Sequence, residues 1–410
     1  MSIRIISTLL IFFCIDLYGF QAFKTAFNRK KRIKWIYWGF HLAMYLMVIM
    51  AFAFRESFSQ GQLQLFFTFV IAFSFPKILI LPFLFIEDIV RGIKRVIQLF
   101  SAPKPNPDNP NKGITRSQFI SRTSLVVAGI PFIATIHGIV REKYNYKIHR
   151  VKVPIANLPK AFEGMTITQI SDVHTGSFDS FNSVKAGIEL INEQESDYIF
   201  FTGDLVNNMA NEIGEYADLY KQLHARGGVF SVLGNHDYGD YVRWENPVEK
   251  EDNLKRLMES QRSFGWNLMM NENQIITKGD HSLAIIGVEN YGAKARFAKY
   301  GKLDLAYQGA ENADLKVLLS HDPSHWDAQV RPEYGNIDLT LSGHTHGFQF
   351  GVEIPGFVKW SPSQFVYDQW AGHYQEGNQH LYVNRGFGFL GFSGRVGIRP
   401  EITVLELTQA

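Results

Sequence analysis

Apolar positions are spread unevenly along the 410-residue chain, and in its first third they run together instead of alternating. Residues 35–54, WIYWGFHLAMYLMVIMAFAF, carry no formal charge, and about 20 such residues are what a helix needs to cross a bilayer core. Residues 65–86 form a run of similar length that contains Pro76, Lys77 and Pro82. A span there must find partners for an ammonium group and for freed backbone carbonyls. Residues 5–23 are apolar apart from Asp16, whose charge costs about 2.5–3.5 kcal/mol at mid-membrane unless it is paired. Either Lys77 neutralises it or it sits near the interface. A fourth run, 123–140, is uncharged but short and is interrupted by Gly129, Pro131 and His137. No small-residue cleavage site follows the first run, which argues against a removable leader. The pattern predicts a membrane region over residues 1–143 with three or four transmembrane helices. Within it, 102-APKPNPDNPNKG-113 reads as a Pro/Asn linker that cannot continue a helix.

From residue 144 the pattern changes to short apolar runs that end in polar residues and alternate with amphipathic stretches. The run 165-MTITQISDVHTG-176 reads as a strand leading into Asp172 and His174. Residues 182–193 have helical spacing, with Val184, Ile188, Leu190 and Ile191 near one face. The next strand, in 198-YIFFTGDLVNN-208, leads to Gly203 and Asp204, and residues 212–225 form a second helix candidate. A strand in 228-GVFSVLGNHDYGD-240 leads to Asn235, His236 and Asp237. The runs 315-LKVLLSHDPSHW-326 and 337-IDLTLSGHTHG-347 lead to His321 and to the pair His344 and His346. Five predicted strands thus place Asp, His or Asn just past their last apolar residue. In open α/β sheets that edge is where sites form.

Charge narrows the function. The formal net charge is only +2, and the basic residues gather beside the spans instead of along a soluble face, so no nucleic acid is expected as a partner. One basic cluster, Lys24, Arg29, Lys30, Lys31, Arg32 and Lys34, lies between the first two spans; Arg91, Lys94, Arg95, Lys104, Lys112, Arg116 and Arg122 follow the third. The positive-inside rule puts both in the cytoplasm. The C-terminal domain is then external if 123–140 crosses the membrane and cytoplasmic if it lies in the interface. Cys14 is the single cysteine, so an intrachain disulfide is impossible.

Taken singly, an Asp-x-His, a Gly-Asp or a Gly-Asn-His-Asp is an ordinary turn. As an ordered set, Asp172, His174, Asp204, Asn235, His321, His344 and His346 offer two carboxylates, one amide oxygen and four imidazoles with no thiolate. This donor mixture suits Mn, Fe or Zn, not an all-oxygen calcium site or a cysteine-rich zinc site. Seven side chains exceed the needs of one ion and fit two ions sharing a ligand, about 3.5–4 Å apart.

The series 172-DVH-174, 203-GD-204, 234-GNH-236, His321 and 343-GHTH-346 resembles the calcineurin-like metallophosphoesterases over about residues 150–410. The resemblance implies an α/β fold, a four-layer α/β/β/α sandwich over 144–410 preceded by the helical transmembrane region. It implies two divalent ions, with manganese favoured. Asp172, His174 and His346 would hold one, Asn235, His321 and His344 the other, and Asp204 would bridge them. His344 and His346 are expected to alternate on one extended segment. Hydrolysis by a metal-bridging hydroxide follows by the same analogy, with His236 as a catalytic group that stabilises the transition state or protonates the leaving oxygen. Asp237 is expected to orient His236 or to serve the turn.

The tail, with 354-IPGF-357, 371-AGHYQEGNQHLYVNRGFG-388 and 398-IRPEITVLEL-407, resembles the membrane-tethered branch of that family. Phe348 stands where this branch usually has a second glycine, and it is expected either to contact an apolar substrate or to pack under the sheet. Arg385 is expected to bind a substrate phosphate through its planar donor fork, with a structural ion pair as the alternative. Some relatives in the branch resemble UDP-2,3-diacylglucosamine pyrophosphatases. The resemblance therefore implies a multi-pass enzyme of the cell membrane acting on a phosphorylated, lipid-linked substrate, such as that lipid A precursor, beside the bilayer. The other readings are a phosphodiesterase or nuclease with a different substrate, a metal-binding sensor or scaffold without catalysis, and a transporter.

Overall fold

The computed structural model describes residues 3–28, 30–54, 57–58, 60–100, 114–294, 297–354 and 356–410. The linker expected at 102–113 lies outside the described residues. The chain forms two compact units that meet at His137 and Gly138, upstream of the boundary expected after residue 143.

The N-terminal unit is built from helices α1 (Ile3–Ala26), α2 (Lys31–Ala53), α3 (Gln60–Ile78), α4 (Leu81–Leu99) and α5 (Arg116–Val140), the last turn of which, from Gly138, belongs to the C-terminal unit. Among the described residues, four segments are long and apolar enough to cross a membrane: Leu9–Ala26, Lys31–Ala53, Gly61–Leu99 and Arg116–Val140. The third differs from the single span expected at 65–86, because the helix breaks between Ile78 and Leu81. Pro82 explains the break. It has no N–H to offer the carbonyl of Ile78, four residues back, and its ring crowds that carbonyl. The last helix is longer than the 123–140 run and starts seven residues earlier, at Arg116, where Thr115 Oγ1 accepts the N–H of Gln118 at 3.2 Å and the Gln118 side chain accepts that of Thr115 at 3.0 Å. Such a reciprocal cap fixes a helix start. Asp16 is buried and paired: its carboxylate lies 2.5 Å from Lys77 Nζ and accepts a hydrogen bond from Tyr45.

In the C-terminal unit two six-stranded sheets stack. The first contains β1 (Lys147–Ile155), β2 (Thr166–Ile170), β3 (Tyr198–Phe201), β4 (Val229–Ser231), β5 (Asn267–Leu268) and β14 (Glu401–Gln409), in the order β1-β14-β2-β3-β4-β5. The second contains β6 (Glu272–Lys278), β7 (His281–Gly287), β8 (Leu315–Leu319), β9 (Leu339–Ser342), β12 (Gly372–Glu376) and β13 (Gln379–Val383), in the order β12-β13-β9-β8-β7-β6. A separate antiparallel hairpin pairs β10 (Val352–Ile354) with β11 (Val358–Trp360).

Alternation along each strand makes the layers. Phe200 joins the core between the sheets, with Phe230, Val317, Leu339 and Leu405. Its neighbours Ile199 and Phe201 point outward into a second core, shared with Val184 and Ile188 of α6 (Phe181–Asn192) and Leu257 of a helix over Pro247–Ser263. In β7, Leu283 and Ile285 face the other sheet, while Ala284 and Ile286 face Leu303 and Ala306 of a short helix over Leu303–Tyr307. Helix, sheet, sheet and helix therefore follow in order, which is the four-layer sandwich.

Two helix expectations change. Residues 212–225 do not form one helix: a 3-10 segment over Ala210–Tyr216 is kinked at Gly214 (φ 44°) and is followed by a single turn, Ala217–Tyr220. The long helix over Pro247–Ser263 was not expected. Its start was legible, since Asn246 caps it by accepting the N–H of Glu249 at 2.9 Å and Pro247 follows.

Candidate metal centre

Strands β2, β3 and β4 run parallel to one another, as do β8 and β9, so within each sheet the chain leaves them at the same edge. The two edges coincide, because His321, just past β8, donates from Nδ1 to the carbonyl of Thr202, just past β3, at 2.7 Å. The loops there are strained. Asp172 (φ 53°), His174 (49°), Asp204 (61°), His344 (71°) and His346 (51°) are all left-handed, a conformation that costs a non-glycine residue about 1–3 kcal/mol. His344 and His346 thus do not alternate on an extended segment as expected. Right-handed Thr345 (φ −78°) separates them, and a left-handed run begins at His346 and continues through Gly347, Phe348 and Gln349. The glycines of the Gly-Asp and Gly-Asn-His motifs allow two of these loops to touch: a Cβ on Gly234 would collide with Asp204 Oδ1, and one on Gly203 would meet the Gly234 backbone.

Two donor clusters result. In the first, Asp172, His174 and His346 converge, with the two imidazole Nε2 atoms 3.0 Å apart and Asp172 Oδ1 3.3 Å from His346 Nε2. In the second, Asp204, His321 and His344 converge, with His321 Nε2 3.1 Å from Asp204 Oδ2 and 3.3 Å from His344 Nδ1. Asn235 Oδ1 adds a donor 3.1 Å from His321 Nε2. Asp204 Oδ2 also lies 3.6 Å from His174 Nε2, so one carboxylate oxygen faces both clusters.

Surrounding groups aim these donors. The Thr202 carbonyl takes the His321 Nδ1 proton, leaving a lone pair on Nε2 when the ring is neutral. Asn235 Nδ2 donates to Tyr241 Oη at 2.9 Å, which turns its oxygen inward. Both Asp172 oxygens lie 2.9 Å from the His344 N–H, and Asp204 Oδ1 accepts the N–H of His236 at 2.8 Å.

Burial keeps three of the four rings ready to bind a cation. Burial pushes His174 down to about 3 and His344 down to about 4, and it holds His346 well below the usual histidine range. These rings are neutral donors. Burial alone would also depress His321, but the Asp204 carboxylate outweighs it and raises the ring to about 10. Burial raises Asp172 to about 6, whereas the charges of His321 and His236 overcome burial at Asp204 and hold it well below the carboxylate range. The Asp204 carboxylate therefore favours a proton on His321. Imidazole lone pairs converging on carboxylate oxygens at these separations fit two divalent ions of the N/O-preferring kind.

The remaining predicted residues separate. His236 lines the cleft, and its Nδ1 donates to the Asn207 carbonyl at 2.7 Å, leaving Nε2 to exchange a proton with a bound molecule. Asp237 does not orient His236. Its carboxylate accepts the N–H groups of Asp204, Leu205, Val206 and Gly234, so it shapes the loop that carries Asp204. Burial and the Asp204 charge push it up to about 7. Arg385 is not positioned to bind a substrate phosphate: it is 4% exposed and ion-paired to Glu401 at 2.6 Å and Glu353 at 2.5 Å. Phe348 is 50% exposed on the wall of a cleft of about 440 Å³. Tyr241, Phe297, Tyr367, Leu390 and Phe392 complete that wall, and sequence reasoning missed all five. The Gly-aromatic run 386-GFGFLGF-392 carried a signal for the last two; the others lie in loops without periodicity.

Residues 2–143 match the family described as "Probable Calcineurin-like phosphoesterase, transmembrane domain", and residues 165–348 match "Calcineurin-like phosphoesterase". The chain is similar to the uncharacterized metallophosphoesterase YkuE of Bacillus subtilis, at 31% identity over 63% of this chain and 84% of that protein. It is 25% identical to the transmembrane protein with metallophosphoesterase domain of Danio rerio, over 70% of this chain, and spans 63% of that relative's length. It is 27% identical to the phosphodiesterase YaeI of Escherichia coli, over 72% of this chain and 99% of that protein.

Proposed function

The chain belongs to the calcineurin-like phosphoesterases, a family of metal-dependent hydrolases, and we propose that it cleaves a phosphodiester or pyrophosphate bond of a membrane lipid with manganese as the favoured metal. The observation that carries this reading is the position of Asp204 Oδ2, 3.1 Å from His321 Nε2 and 3.6 Å from His174 Nε2. Two divalent ions, when bound, supply positive charge to phosphate oxygens and lower the pKa of water. Asp172, His174 and His346 would hold one ion and Asn235, His321 and His344 the other, with Asp204 between them. His236, at the rim with its Nδ1 proton anchored on Asn207, is the group that gives a proton to the leaving oxygen. The aromatic wall opposite the donors suits the apolar part of an amphiphile, and the membrane helices keep the domain beside such substrates.

UDP-2,3-diacylglucosamine, a lipid A precursor, is the specific candidate to test. It calls for a cytoplasmic active site. Four crossings with the basic segments in the cytoplasm would put the domain on the opposite side, where a lipid phosphodiester or pyrophosphate of that leaflet is the substrate in reach. The name of the Escherichia coli relative supports a phosphodiester as the second reading.

The test is Mn-dependent hydrolysis by detergent-purified full-length protein, with a phospholipid, UDP-2,3-diacylglucosamine and a soluble aryl phosphodiester as substrates. Asp204→Asn should lower each activity present by more than about 100-fold, because even groups behind metal ligands are worth 10–100-fold. Cleavage of the soluble ester alone would overturn the lipid assignment. Turnover that survives Asp204→Asn would overturn the metal-site reading.

A further inference from the structure

The β10–β11 hairpin is built the wrong way round for a solvent-exposed loop. Its cross-strand pairs are Val352 with Trp360, Glu353 with Lys359, and Ile354 with Val358. Side chains alternate across a strand, and here the charged pair is the one tied to the protein: Glu353 binds the buried Arg385 at 2.5 Å, and Lys359 donates to the Ala371 carbonyl. The apolar pairs face outward, with Val352 46%, Ile354 50% and Trp360 37% exposed. At the tip Phe357 is 82% exposed, and Phe365, in the turn that follows the hairpin, is 78% exposed. Soluble surfaces do not gather large apolar side chains this way without a partner.

What lies beside the hairpin indicates the partner. Gly138, in the last turn of the apolar helix α5, accepts the N–H of Arg395 at 3.2 Å. The adjacent Val396 donates to the Gln349 carbonyl at 2.7 Å and accepts the N–H of Gly351 at 2.9 Å. Within the C-terminal unit, two hydrogen bonds thus link the start of the hairpin to the last turn of α5. Only residues 141–146 separate that helix from β1, so the first residue of β1 lies within about 20 Å of the helix end, at about 3.5 Å per residue. Tyr367, two residues after Phe365, hydrogen-bonds His344 at 2.8 Å, so the same apolar edge runs to the metal donors.

We propose that the β10–β11 hairpin, with Phe357 at its tip and Phe365 beside it, inserts into the lipid bilayer interface and seats the rim of the catalytic cleft on the membrane. Aromatic rings partition to that interface, and an apolar loop there binds by buried area as an interfacial helix does. A lipid headgroup then reaches the donors without its acyl chains leaving the membrane.

The test uses the full-length chain in nanodiscs, with Cys14→Ser as background and a spin label at Phe357→Cys; a label at Asp280→Cys, in the exposed turn between β6 and β7, is the control. The label at 357 should be more accessible to oxygen and less accessible to a water-soluble nickel chelate than the label at 280. Equal accessibility to the chelate would overturn the proposal. Shielding of the 357 label from both probes would also overturn it, by assigning the patch to a second copy of the chain. A second assay rests on the phosphoesterase reading. The double variant Phe357→Ser, Phe365→Ser should keep its turnover of a soluble aryl phosphodiester and lose about tenfold on a lipid phosphoester in vesicles. Undiminished turnover of the vesicle substrate would overturn the docking role, whereas absence of soluble-ester turnover in the unmodified protein would fail the catalytic reading and leave the label result standing.

Discussion

The membrane unit and the catalytic unit each bury a carboxylate beside imidazole, yet the two clusters are organised in opposite ways. In the membrane unit, Asp16 meets the Lys77 ammonium at 2.5 Å and His41 Nε2 at 3.3 Å, while Tyr37 Oη donates to the Asp16 carbonyl at 2.8 Å. His41 Nδ1 donates to the Tyr37 carbonyl at 2.6 Å. The set is closed, because the protein supplies both signs of charge. In the catalytic unit, carboxylates and ring nitrogens face one another, and the buried Arg395 guanidinium touches the cluster only at His346 Nδ1, 3.4 Å away and not the ring nitrogen that faces Asp172. That set is open toward a cation. A closed cluster stabilises a helix packing, whereas an open one waits for ions and can act on a substrate's charge.

The sharpest test of this contrast is to remove a side chain at the rim of the open cluster that is not one of its converging donors. His236→Ala should lower kcat by about 10²–10⁴-fold, the usual worth of a general acid, with little change in melting temperature. A large loss of stability instead would place His236 among the structural groups. In the closed cluster the reverse holds. Asp16→Ala strands the Lys77 charge and should destabilise the membrane unit by about 3–5 kcal/mol, read by thermal unfolding in detergent. Adding Lys77→Met should recover most of the loss, and hydrolysis of a soluble ester should be unchanged throughout.

Metal should also separate the two units. Manganese at 100 times its Kd should stabilise the catalytic unit by about 2.7 kcal/mol and leave the unfolding of the membrane unit unmoved. The affinity should rise with pH. His321 is raised to about 10 in the metal-free site, so at neutral pH an incoming ion must displace its proton. Titrations between pH 6 and 8 should show up to about tenfold tighter binding per unit, one proton being released. A flat profile would mean that Asp204 is balanced in another way. The smallest effect is expected at Phe348, whose φ of 53° is strained for a bulky residue. Phe348→Gly should stabilise the catalytic unit by about 0.5–1 kcal/mol and raise KM for a lipid substrate more than for a soluble one.

Much of the site could be read along the chain because each donor follows directly on an apolar strand: Asp172 and His174 after β2, Asp204 after β3, Asn235 after β4, His321 after β8, and His344 with His346 after β9. Buried parallel strands need unbroken apolar residues and loops need polar ones, so this junction is written locally. Arg385 and Asp237 stayed between two roles along the chain because their residue types permit both. Arg385 became a core ion pair because Glu401 and Glu353, distant in sequence, meet it. Asp237 became a loop anchor because four backbone N–H groups surround it.

Local sequence thus determined the membrane runs, the strand ends and the set of candidate metal donors, since hydrophobic period and residue chemistry depend on near neighbours. Only the tertiary structure decided the pairing of Asp16 with Lys77, the split of six donors into two clusters around Asp204, and the outward turn of an apolar hairpin beside them. Each of these is a contact between residues far apart in the chain, settled when the sheets stack and the helices pack, and no periodicity along the sequence encodes it.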